Sequence, residues 1–200
     1  MGLSIHYSGK FNPKASLTEM INEIKDICEV YQWKYKIYET EFPKTGFTKL
    51  YNNNIYGISF TPPKCEAIPI EFLSNGRMSS SNYLKIFGFS DNKDYQKYLY
   101  GTSVKTQFAG MEVHAVVIHL LRYLSKKYFI NFKVDDEGHY WETRDMEVLK
   151  SNFKTYEKLL DHFCIGIQTF PVQAGETIEN YFKRLIKKIN LNTEKGEGWV

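Results

Sequence analysis

The densest chemistry in the chain is the octet Asp135-Asp136-Glu137-Gly138-His139-Tyr140-Trp141-Glu142, where four carboxylates, an imidazole and two large aromatic rings lie in eight residues. If the strand pattern at 130–134 ran on through it, Asp135, Glu137 and His139 would share one face, roughly 6 to 7 Å apart at successive steps. Two carboxylates and an imidazole at that spacing can hold a divalent metal or act as general acid and base. On this reading Asp135, Glu137 and His139 are the metal-ligand candidates. Glu137, His139 and Glu142 are the acid–base candidates, and Tyr140 and Trp141 the binding surface beside them. Turn chemistry accounts for the same residues without a site. Acidic residues open a tight turn, Gly138 supplies a positive φ, and strand 130–134 returns as a hairpin through 139–141 with the carboxylates in water.

Other reactive side chains are weaker candidates. His114 and His119 are five residues apart on a helical pattern, about 140° from each other around its axis, and cannot ligate one metal as an i, i+4 pair does. Both read as surface or internally satisfied histidines. Cys65 is the one cysteine expected in a loop, between Lys64 and Glu66, and no neighbouring histidine completes a dyad there. Cys28 and Cys164 fall near apolar helix stripes and read as core thiols. Tyr95, Tyr98 and Tyr100 cluster with Lys97 and could stack bases or sugars, although a short helix or edge strand covering the core explains them as well. The chain carries no Walker loop, GxGxxG, GxSxG or CxxC, and no cofactor is implied.

Bulk composition narrows the classes. The 26 basic and 23 acidic residues leave a net charge of only +3, too balanced for a nucleic-acid footprint. Fifteen Tyr, 14 Phe and 3 Trp favour a large β component, because aromatics fit half-buried pleated surfaces. Three widely spaced cysteines argue against a disulfide framework. The first ten residues lack a signal-like apolar run, and no window approaches a membrane span. The expectation is a cytoplasmic protein, of bacterial type in its general style.

The elements that must position the octet follow from periodicity. Residues 3–7 alternate as a strand. A helix starts at Ser16, which forms a capping box with Glu19, and carries the stripe Leu17, Met20, Ile21, Ile24, Ile27, Cys28 and Tyr31. A meander of strands follows at 35–37, 56–60 and 68–72. Asn75-Gly76 then marks a hairpin. Residues 79–82 read as a polar loop, 84–86 as a strand, 91–100 as ambiguous and 104–108 as a further short strand. Met111 to Tyr128 is a helix apolar on more than one side. A third helix follows the octet, capped by Thr143 or Asp145, with Leu149, Phe153, Tyr156, Leu160 and Phe163 on one face. After a connector at 166–175 a fourth starts near Thr177. The order predicts an α+β fold: a single, mostly antiparallel sheet of about five to seven strands with helices on one face, in the order β-α-β-meander-α-β-α-α. It would form one domain over 1–190, with 191–200 a frayed tail.

Function is expected to be non-catalytic binding of a protein or small-molecule ligand, with neither nucleic acid nor membrane as partner. The alternative is a metal-assisted hydrolase or acid–base enzyme centred on 135–142.

Overall fold

The computed structural model describes residues 3–89, 95 and 97–195, and the chain divides into two units, Met1–Lys150 and Ser151–Val200. In the first unit β1 (Ser4–Phe11) pairs antiparallel with β6 (Thr102–Lys105) on one side and β7 (Phe129–Asp136) on the other. A second antiparallel sheet runs in sequence order through β2 (Lys34–Ile37), β3 (Ile55–Thr61), β4 (Ile68–Leu73) and β5 (Met78–Ser79).

The mixed α/β content and the antiparallel pairing match the sequence pattern. The single sheet of five to seven strands does not form: there are two sheets, of three and four strands. The cause lies at β5. The Asn75-Gly76 hairpin forms, with Gly76 at φ +75° and Leu73 N–H bonded to Arg77 O at 2.9 Å. The returning strand then ends after two residues, because Ser80 turns the chain into a helix. This short edge approaches β1 without forming a ladder with it. The sheets touch through a Lys10–Arg77 bridge and a 2.7 Å bond from Phe11 N–H to Gly76 O.

That helix, α2 (Ser81–Phe87), occupies the stretch read as loop and strand. Two otherwise orphaned N–H groups of its first turn find acceptors: Tyr83 N–H on the Ser80 hydroxyl at 3.1 Å, and Ser81 N–H on the Glu71 carboxylate at 2.6 Å. Its Leu84 joins Ile55, Leu73 and Leu99 in a small core, while Ile86 stays exposed. The stretch 104–108 is also divided, since β6 stops at Lys105 and residues Gln107–Ala109 form a 3-10 turn. Of the ambiguous stretch 91–100, residues 91–94 and 96 lie outside the described residues.

Two longer helices cover the sheets. α1 (Leu17–Val30) begins at Ser16, whose hydroxyl accepts Glu19 N–H at 3.2 Å, and buries Leu17, Met20, Ile21, Ile24 and Cys28. α3 (Met111–Tyr128) buries residues around much of its circumference, His114 among them, as a helix covered on more than one side must. After the octet come α4 (Tyr140–Thr143) and α5 (Met146–Thr169). Asp145 opens α5 by accepting Glu147 N–H at 2.8 Å.

The second unit holds the later part of α5 and α6 (Ile178–Lys195). Phe163 and Phe182 stack at 6.2 Å, and Arg184 ties the connector down through Glu176 at 2.9 Å and Pro171 O at 3.0 Å. Helix α6 takes in 191–195 of the stretch expected as a tail, and 196–200 lie outside the described residues. Among the described residues no helix is long and apolar enough to cross a membrane.

Candidate functional site

The octet is neither a hairpin nor one face of a continuing strand. β7 stays paired with β1 as far as Asp136, the chain turns over 137–139, and α4 follows where a returning strand was expected. The left-handed residue of the turn is His139, at φ +56°, rather than Gly138. Glycine is required at 138 by proximity: a Cβ there would lie 2.8 Å from His114 Nε2 and from Leu149 Cδ1.

Asp136, which the sequence left unassigned, is the centre of this turn. Its Oδ1 lies 2.9 Å from His114 Nε2, and both side chains are wholly buried. The carboxylate also accepts Gly138 N–H on Oδ1 and Trp141 N–H on Oδ2, each at 2.8 Å. On the far side of the ring, His114 Nδ1 meets Thr106 Oγ1 at 2.7 Å. Burial opposes ionisation of Asp136, but the His114 ring and the two N–H groups outweigh it and hold the carboxyl below its ordinary value. Hydroxyl, imidazole and carboxylate are in relay order. None of the three lines either cavity described below, and the Gly138 backbone closes directly over the ring. The arrangement locks the turn.

The remaining octet residues separate. Glu137 turns back to the start of β1, accepting Ser4 N–H at 2.7 Å, with His6 Nε2 at 3.8 Å. His139 and Glu142 are exposed. Tyr140 is buried with its hydroxyl 3.1 Å from His119 Nε2, and the Trp141 ring lies between the Arg122 guanidinium at 4.3 Å and the Phe132 ring at 5.9 Å. Asp135 is exposed on the outer face of the β6-β1-β7 sheet, opposite His6 in register. Asp135, Glu137 and His139 are not brought together, and among the described residues no group of three or more His, Cys, Asp or Glu side chains could hold a metal ion. Burial pushes the Cys65 thiol up to about 11, against the activation a nucleophile needs.

Two neighbouring cavities gather polar groups. The outer one, about 480 Å³, lies on the open face of the β6-β1-β7 sheet, where His6, Lys133 and Asp135 meet Lys97, Tyr98 and Tyr100. Tyr98 and Tyr100 of the sequence's tyrosine cluster thus border a cavity with Lys97, whereas Tyr95 is not among its lining residues, and the Tyr100 ring already carries the Arg77 guanidinium at 3.2 Å. The inner cavity, about 600 Å³, is lined by Lys36, Tyr38, Ser59, Glu66, Glu71 and Ser81 together with other polar residues. Tyr83, Thr102 and Ser103 belong to both.

Glu71 is the unusual group of the inner cavity. Strand β4 is buried on both faces, so this carboxylate retains only 2% exposure. It accepts Ser81 N–H at 2.6 Å, with the Ser59 and Tyr38 hydroxyls near enough to favour its charge. Tyr38 OH lies 3.1 Å from Ser81 Oγ, and Lys36 Nζ sits 4.7 Å above the Tyr38 ring. Burial pushes the Glu71 carboxyl above its ordinary value, against the lowering pull of Ser81 N–H, the two hydroxyls and Lys36. Among the described residues no salt bridge reaches it. The sequence did carry a signal for this. Phe72 and Leu73 are both apolar, which breaks the one-sided alternation of 68–72 and marks a strand covered on both faces. A carboxylate inside such a strand must be buried. Comparison with known proteins finds no match to this chain among protein families, curated proteins or solved structures.

Proposed function

We propose that the chain binds a small polar ligand in the inner cavity, with Glu71 as the principal contact. The observation that carries this reading is a buried carboxyl that has no ion-pair partner among the described residues, at the wall of a cavity of about 600 Å³, a volume within the roughly 300–1,000 Å³ of small-molecule sites. A carboxyl raised by burial can donate or accept a hydrogen bond according to its protonation, and the surrounding serine and tyrosine hydroxyls rotate to match either state. The ligand that fits is polar and rich in hydroxyl or amide groups. Thermal-shift screening of the purified chain against sugars, polyols, amino acids and nucleosides, followed by calorimetry of any hit, tests the reading. Binding that weakens in Glu71→Gln and Ser59→Ala supports it. A hit bound equally well by both variants, or no hit, sinks it.

One observation favours acid–base catalysis as a second reading: a carboxyl pushed above its ordinary value in a cavity is the usual mark of a general acid. This moves the enzyme reading from the octet to Glu71. Turnover of the bound compound that disappears in Glu71→Gln while binding persists would select it over simple binding.

A further inference from the structure

The inner and outer cavities are not independent. They share Tyr83, Thr102 and Ser103, and the Tyr83 hydroxyl lies 3.4 Å from Ser103 Oγ, so one polar wall serves both. Thr102 and Ser103 are small, and they are neighbours on the edge strand β6. The two cavities therefore adjoin along that wall.

The two cavities differ in charge. Lysines and carboxylates balance in the inner one, where Lys36 and Lys85 face Glu66 and Glu71. In the outer one Lys97 and Lys133 face a single carboxylate, Asp135, with the His6 imidazole alongside. Hydroxyl groups line both cavities, so charge is what separates them; four tyrosines border the outer. A neutral hydroxyl-bearing body fits the first and an anionic group the second, where two ammonium groups can act on it as point charges.

We propose that the two cavities form one bipartite site for a phosphorylated, hydroxyl-rich small molecule of the sugar-phosphate class, with the hydroxyls toward Glu71 and the phosphate toward Lys97 and Lys133. The inference rests on the ligand-binding reading above and specifies its ligand. Lys133 is the more diagnostic cation: it is exposed on β7, so its removal leaves the core untouched.

The test is calorimetry of the full chain with glucose 6-phosphate, ribose 5-phosphate and glycerol 3-phosphate, each beside its unphosphorylated parent, and with inorganic phosphate alone. The expected result is at least one phosphorylated compound bound about tenfold or more tighter than both its parent and inorganic phosphate. That advantage should shrink severalfold at high salt. Lys133→Ala and Lys97→Ala should each reduce it while leaving binding of the parent compound unchanged, and Glu71→Gln should weaken both forms. Equal binding of phosphorylated and parent compounds overturns the bipartite site, as does insensitivity to both lysine variants. If none of these probes binds, the sugar-phosphate assignment falls. The broader reading survives that result only if another polar compound binds in a Glu71-dependent manner.

Discussion

Two carboxylates in the first unit are almost fully buried, and they are treated in opposite ways. Asp136 faces a histidine, accepts two backbone N–H groups and is closed over by Gly138. Glu71 faces hydroxyls, a backbone N–H and open space. The first is held below its ordinary pKa and the second is pushed above it. Burial penalises both charges. The difference is that at Asp136 the His114 ring and directed donors overcome the penalty, whereas at Glu71 the hydrogen bonds together with Lys36 do not. A buried carboxylate that is fully paired and sealed supports the fold. One that is short of charge compensation beside a cavity is available to a ligand.

The largest test of this contrast is Asp136→Ala. It strands a wholly buried His114 and leaves Gly138 N–H and Trp141 N–H without their acceptor. Breaking a buried pair on one side costs about 3–5 kcal/mol, which should lower Tm by roughly 10 °C in a protein of this size. Urea and thermal melts measure it. A loss below about 1 kcal/mol would mean that the pair is not a structural lock. Gly138→Ala comes next, because the added Cβ meets the His114 ring and Leu149 at 2.8 Å; overpacking of this kind costs about 1–3 kcal/mol.

The pH dependence sharpens the comparison, because the two carboxyls act in opposite directions. Asp136 titrates below its unfolded value, so its stabilisation is complete above that value and is lost as pH falls through the folded one. Glu71 titrates above its unfolded value, so its contribution is most favourable in acid and declines as pH rises through the folded one. Glu71→Gln keeps the shape and removes the ionisation. Relative to wild type, the variant should therefore gain stability as pH rises from the ordinary carboxylate range toward neutrality. Thermal melts of the two proteins across that range decide it. Parallel curves would show that Glu71 is not perturbed by burial.

How much of this was legible depends on whether the information is local. Ser16 over α1, Asp145 before α5 and Asn75-Gly76 between β4 and β5 are local signals, and each appears in the structure. The division into two sheets turns on where β5 stops, which is set by Ser80 and by Glu71 on another strand. The octet failed for a related reason. The strand parity that points Val134 inward also points Asp136 inward, but its partner is on α3, and nothing near it in sequence announces a buried imidazole. Ile130 breaks the parity, at 39% exposure, because Asn131 adopts φ +54° where the β1–β7 register shifts. Density of charge drew attention to Asp135, Glu137 and His139, whereas the two informative carboxylates, Asp136 and Glu71, were inconspicuous.

The smallest expected effect completes the comparison. Glu142 and His139 were sequence candidates for catalysis, and both are exposed beside the Asp136 turn without lining either cavity. Glu142→Ala should change stability by no more than about 0.5 kcal/mol, as for an ordinary surface position, and should leave ligand affinity untouched. At His139 the backbone is left-handed, so the replacement must tolerate that conformation; His139→Asn does so, and should be as silent as Glu142→Ala. Calorimetry with any ligand found for the inner cavity, run on both variants, tests the separation directly. A marked loss of affinity in either would mean that the turn and the Glu71 cavity act as one site, and the division between a sealed carboxylate and an available one would fail where it is drawn most sharply.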